Sequence, residues 1–155
     1  MADEATQVMM IQASPQRCFE AAMDFEHYPD WAPDIKAVSV LERDEFGRGV
    51  LVQYRAAAFG RSTSYALRYD YAEAPTKLSW IQVDGDLTNR LDGVYVFVDA
   101  LGRGSDGIGE VTEATYHLLA ELRVPIPGFV KRRAEGRIIH TALRDLKRWV
   151  EATSP

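Results

Sequence analysis

Few side chains in this 155-residue sequence are equipped for covalent or acid–base chemistry, and their spacing narrows the choice further. The three histidines, His27, His117 and His140, are too scattered for a recognisable metal motif, and no G-x-S-x-G, H-E-x-x-H or P-loop pattern is present. Cys18 is the single cysteine, which rules out an internal disulfide or a multi-cysteine zinc site; it falls on the apolar face of a predicted helix, where buried packing is expected. GRGSDG at 102–107 matches G-x-G-x-x-G, but a dinucleotide site needs a following helix and a repeated βαβ pattern. Gly102, Ser105, Asp106 and Gly107 read instead as hairpin residues. These observations predict no catalytic group, no metal and no cofactor.

The residues present in excess are aromatic. Seven tyrosines and three tryptophans recur through the chain, among them Tyr54, Tyr65, Tyr69, Tyr71, Trp80, Tyr95 and Tyr116. An ordinary core uses mostly aliphatic side chains, whereas a buried tyrosine or tryptophan needs a partner for its O–H or N–H. Such a set suits a cavity holding water or a ligand with a few polar groups, or in part the outer face of a sheet. Tyr65, Tyr69 and Tyr71 share a parity and so a face, with Arg55 and Arg68 of opposite parity expected outside. DFEHYPDWAP at 24–33 adds Tyr28 and Trp31 between two prolines, either as a plug that anchors a loop or as one wall of a pocket. His27 beside them is expected on the surface.

Regular elements must position these rings. Residues 6–12 read as a strand, and 14–25 as a helix with Ser14 as N-cap and Pro15 in its first turn. From Ile35 onward the pattern alternates in runs over 35–44, 49–59, 62–72, 76–85 and 89–101, separated by turn residues. Residues 109–123 are ambiguous: Glu, Ala and Leu suit a helix, but the alternation of Ala114, Tyr116, Leu118 and Ala120 favours a strand. Residues 129–152 form the longest helix, with Ile138, Ile139, Ala142, Leu143, Leu146, Trp149 and Val150 on one face. Hairpins followed by one long helix predict an α+β fold with helices on one face of an antiparallel sheet.

The length and 46% apolar content suit one domain with a real core. The acidic start MADEATQVMMIQ lacks the marks of a signal peptide, and no run approaches a membrane span, so a cytoplasmic protein is expected. A net charge of −5 argues against DNA and general nucleic-acid binding. Yet seven basic residues against two acidic ones lie between Lys131 and Arg148. Lys131, Arg132, Arg133 and Arg137 make a basic patch at a helix start, where acids are favoured. A solvated face is one account; attraction to anionic lipid, to a ligand carboxylate or to ribosomal RNA phosphates is another.

SPQRCF, the Asp-x-x-x-Tyr-Pro-x-Trp pattern over 24–31 and the Pro-Gly-Phe helix entry at 127–129 occur in an order and spacing that resemble the bacterial START-like (SRPBCC) proteins of the polyketide cyclase/dehydrase and lipid-transport group, related to the Bet v 1 fold. The resemblance covers nearly the whole chain. It implies a helix-grip fold: about seven strands curved around the long C-terminal helix, two short helices after the first strand, and an internal cavity for an apolar ligand. The candidate cavity residues are then Phe25, Tyr28, Trp31, Tyr54, Tyr65, Tyr69, Trp80, Tyr95, Phe97, Tyr116, Phe129 and Ile138.

The uses found among such proteins include lipid carriage, polyketide cyclisation and ribosome association, and the fold alone selects none of them. The expectation here is a non-catalytic protein that encloses a small hydrophobic molecule such as a fatty acid, isoprenoid or polyketide. Cyclase chemistry by analogy asks for an arginine on a middle strand shortly before a turn; the corresponding position looks like Tyr71, a departure that weighs against it. A third possibility, attachment to ribosomes or membranes, would rest on the basic helix.

Overall fold

The computed structural model describes residues 3–58, 61–100, 110–123 and 128–153; the side chains of residues 3, 58 and 128–139 lie outside the described set. The chain order is β1 (Asp3–Ile11), α1 (Pro15–Met23), a 3-10 turn (Phe25–His27), α2 (Tyr28–Trp31), β2 (Ile35–Arg43), β3 (Gly49–Ala58), β4 (Arg61–Asp70), β5 (Lys77–Gly85), β6 (Thr88–Asp99), β7 (Thr112–Leu122) and α3 (Gly128–Thr153). One antiparallel sheet holds all seven strands in the order β1-β7-β6-β5-β4-β3-β2. Hairpins connect neighbours from β2 through β7, and β1 closes on β7 from Asp3↔Ala120 to Ile11↔Thr112.

Local signals account for the short helices. The Ser14 side chain accepts from the Arg17 amide at 3.1 Å, capping α1, and Pro15 occupies the first turn where its missing N–H costs nothing. α1 buries Cys18, Phe19, Ala21 and Ala22. Burial pushes the Cys18 thiol up to about 11, as for a packing residue rather than a nucleophile.

Residues 112–122 are a strand because of where they lie. β7 sits between β1 and β6, and Thr112, Ala114, Tyr116, Leu118 and Ala120 are buried while the residues between them are half-covered. Pairing on both sides outweighs the helical preference of Glu, Ala and Leu. The segment after 102–107 is therefore not the helix that a dinucleotide site requires; residues 102–107 themselves lie outside the described residues.

The sheet bends through register shifts in the β2–β3, β4–β5 and β6–β7 pairings. Pairing of β5 with β6 runs from Lys77↔Val96 to Trp80↔Gly93. Beyond it the Asp92 carboxylate accepts from the Gln82 amide at 2.9 Å. α3 packs on β1 and β7 and against α1 and α2. Its Leu143, Leu146 and Val150 meet Ile11, Phe19, Phe97 and Leu118 in the core. No helix among the described residues is long and apolar enough to cross a membrane.

Candidate functional site

Alternation aims one side chain in two at the concave face, and pairing sets those side chains opposite one another. Tyr54 faces Tyr65 across β3–β4, Tyr69 faces Trp80 across β4–β5, and Tyr95 faces Tyr116 across β6–β7. Each is a cross-strand aromatic pair of the kind that stabilises a sheet. Their rings continue into one another: Tyr54 and Tyr65 stack at 5.3 Å, Tyr69 lies 5.7 Å from Trp80, and Trp80 meets Tyr95 and Tyr116 at 5.5 and 5.6 Å. These centroid separations suit favourable aromatic contact.

The belt surrounds a cavity of about 210 Å³ between the sheet, α2 and α3. Tyr28, Trp31, Tyr54, Tyr65, Tyr69, Trp80, Tyr95 and Tyr116 all line it. Leu67, Leu87, Leu91 and Ala120 supply aliphatic wall from the sheet, and Thr141, Ala142 and Asp145 close the α3 side. Few polar groups in an aromatic and aliphatic wall are the usual make-up of a site for small apolar molecules.

Two other expected wall residues lie elsewhere. Phe25 is packed behind the cavity, 4.4 Å from the Tyr69 ring and directly over Gly49, where an added Cβ would come within 3.0 Å of the phenyl ring. Phe97 has the inward parity of Tyr95 and stacks on it, but faces the core and not the cavity. Phe129 and Ile138, together with the basic patch Lys131, Arg132, Arg133 and Arg137, have side chains outside the described residues.

Tyr71 corrects the parity argument. β4 ends at Asp70, so Tyr71 leaves the face of Tyr65 and Tyr69; its hydroxyl donates to the Gly49 carbonyl at 2.6 Å, and the Arg48 guanidinium lies 4.4 Å from its ring. Arg55 and Arg68 are exposed on the outer face. His27 is also outside, 2.7 Å from Asp24, a carboxylate partner that sequence reading did not assign to it. The hydrogen bond with Asp24, aided by its charge, raises the imidazole above its ordinary value.

The 24–33 segment plugs and lines at once. Tyr28 donates its hydroxyl to the Ala22 carbonyl at the end of α1, which fixes the loop, while its ring stands 4.8 Å from Trp31 in the cavity wall. Tyr54 and Tyr69 satisfy one another, hydroxyl to hydroxyl, at 2.6 Å. Among the described residues, the hydroxyls of Tyr65, Tyr95 and Tyr116 make no protein hydrogen bond. Burial raises all six of these cavity tyrosines above the ordinary tyrosine value, so each stays a neutral hydroxyl near pH 7.

Sequence reading missed Asp145. The carboxylate is 4% exposed and lies in the cavity wall. Its signal was available, since position 145 follows Ile138 and Ala142 and precedes Trp149 at helical spacing, an acid set within an apolar stripe.

A curved seven-stranded antiparallel sheet closed by a long C-terminal helix is the helix-grip architecture of START and Bet v 1 proteins. The chain belongs to the polyketide cyclase/dehydrase and lipid transport family, whose model matches residues 11–147. A START superfamily protein from Mycobacterium smegmatis superposes with a TM-score of 0.85 at 21% identity, covering 97% of this chain and 99% of that one. The Zhui aromatase/cyclase from Streptomyces sp. R1128 gives 0.80 at 13% identity, with 97% and 94% covered. Ara h 8.0201 gives 0.68 at 11%, with 99% and 100% covered. At these identities the likeness is one of fold. No curated protein matches the chain.

Proposed function

We propose that this chain is a single ligand-binding domain that encloses a small hydrophobic molecule in the cavity between its sheet and α3, without transforming it. The observation that carries this reading is the cavity itself, about 210 Å³ walled by eight aromatic residues from five strands and α2. Burying apolar ligand surface there contributes roughly 25 cal/mol per Å². The hydroxyls of Tyr65, Tyr95 and Tyr116 are neutral donors that orient whatever polar atoms the ligand carries. Family membership, in a group described by both cyclisation and lipid transport, agrees with a hydrophobic cargo.

An aromatase/cyclase has one observation in its favour, the acid Asp145 in the wall. Against it, no arginine among the described residues lines the cavity, and Arg55 and Arg68 on the middle strands are exposed. Acid–base chemistry on a polyketide chain needs a group to polarise its carbonyl oxygens as well as one to move protons. The carrier or sensor reading asks only for what the wall contains.

The test is uptake of the neutral fluorophore N-phenyl-1-naphthylamine by the native protein and by Ala120→Phe, which places a ring in the cavity from β7. Saturable binding at one site, weakened in the variant while its circular dichroism is unchanged, supports enclosure. Equal binding by both proteins would place the probe elsewhere and defeat the reading.

A further inference from the structure

Buried polar atoms in folded proteins are almost always hydrogen-bonded, because a donor or acceptor taken from water without a partner is costly. Among the described residues two side-chain atoms break this rule, Nε1 of Trp31 and Oδ2 of Asp145. Both belong to residues of the cavity wall. They come from α2 and α3, helices that pack against each other. The other carboxylate oxygen of Asp145 lies 3.5 Å from the guanidinium of Arg144, which is half-exposed. Two unpartnered polar atoms on one apolar cavity mark a place prepared for a polar group that arrives with the ligand.

Their chemistry specifies that group. An indole N–H can only donate, and a carboxylate oxygen can only accept. A ketone or ether would serve Trp31 and leave Asp145 unpaired; an ammonium would do the reverse. A carboxylate would set a second negative charge against Asp145. A hydroxyl accepts from Trp31 and donates to Asp145 at once. We infer that the α2–α3 end of the cavity is a hydroxyl-recognition subsite, and that the molecule enclosed is an alcohol or phenol on an apolar skeleton rather than a fatty acid or a hydrocarbon. This rests on the enclosure reading above and narrows its ligand class. Thr141, one turn before Asp145 on α3, also faces the cavity and adds a second hydroxyl partner within the same wall.

Four probes with one two-ring skeleton separate the possibilities: 2-naphthol, 2-methoxynaphthalene, 2-methylnaphthalene and 2-naphthoate, with affinities measured by calorimetry. The native protein binds 2-naphthol about tenfold or more tighter than 2-methylnaphthalene, the amount that one or two buried hydrogen bonds supply. 2-Methoxynaphthalene falls between them, and 2-naphthoate binds worse than 2-naphthol. Trp31→Phe keeps a ring in the wall and removes the N–H, so the advantage of 2-naphthol shrinks while 2-methylnaphthalene is unaffected. Asp145→Asn removes the charge and relieves the discrimination against 2-naphthoate. If all four probes bind the native protein within twofold of one another, or if the two variants leave their order unchanged, the subsite is wrong and enclosure stands. If none of the four binds, enclosure fails and the subsite with it.

Discussion

Trp80 and Gly93 sit directly opposite one another on β5 and β6, and the indole occupies the place where a side chain at 93 would be. A Cβ built on Gly93 would lie 2.4 Å from Cζ2 of Trp80, 2.8 Å from Cε2 and 2.9 Å from the His117 carbonyl oxygen. With no side chain at 93, the tryptophan can lean across β6 and reach Tyr95 and Tyr116. One glycine thereby keeps the aromatic belt continuous between the middle of the sheet and its β7 side.

Gly93→Ala must therefore move the indole or the backbone. Overpacking of this kind costs about 1–3 kcal/mol. Chemical denaturation should show that loss, and the displaced indole should reduce probe uptake. A variant of native stability and native uptake would mean that the indole yields freely and that the belt is not held by this contact.

Tyr28 joins a loop to a helix with its hydroxyl and forms cavity wall with its ring, and substitutions separate the two roles. Tyr28→Phe removes the bond to the Ala22 carbonyl and should cost about 0.5–1.5 kcal/mol with probe affinity nearly retained. Tyr28→Ala also removes a buried ring, a loss of about 3–5 kcal/mol, and should weaken uptake. Equal effects of the two substitutions on uptake would show that the ring is not part of the site.

All seven tyrosines, Tyr71 included, have hydroxyls raised by burial. Unfolded tyrosine releases its proton near pH 10. Above about that value the unfolded chain binds fewer protons than the folded one, so stability falls as pH rises; below it the tyrosines impose no pH dependence. Tyrosinate absorbance should accordingly appear together with the loss of circular dichroism. Tyrosines that titrate around pH 10 in a protein that remains folded would show that water reaches these hydroxyls freely.

The sheet was legible because alternation is a strong local signal, and Tyr54, Tyr65, Tyr69, Trp80, Tyr95 and Tyr116 face inward together as period two requires. Depth along a strand is not encoded in that period. Tyr95 and Phe97 are neighbours on one face, yet one lines the cavity and the other fills the core, a distinction set by how far α1 and α3 extend over the sheet. Phe25 was misplaced for the same reason. Tyr71 escaped parity because the strand stops one residue before it. Asp145 could have been found as an acid within an apolar helical stripe, but only the packed structure shows that its Oδ2 lacks a partner.

Native mass spectrometry of the purified protein, followed by organic extraction of whatever it releases, tests enclosure most directly. The account predicts an apolar molecule bearing a hydroxyl, one per chain, whose retention falls in Ala120→Phe. A protein that emerges empty and takes up none of the neutral two-ring probes would contradict it, and would leave the aromatic belt as core alone.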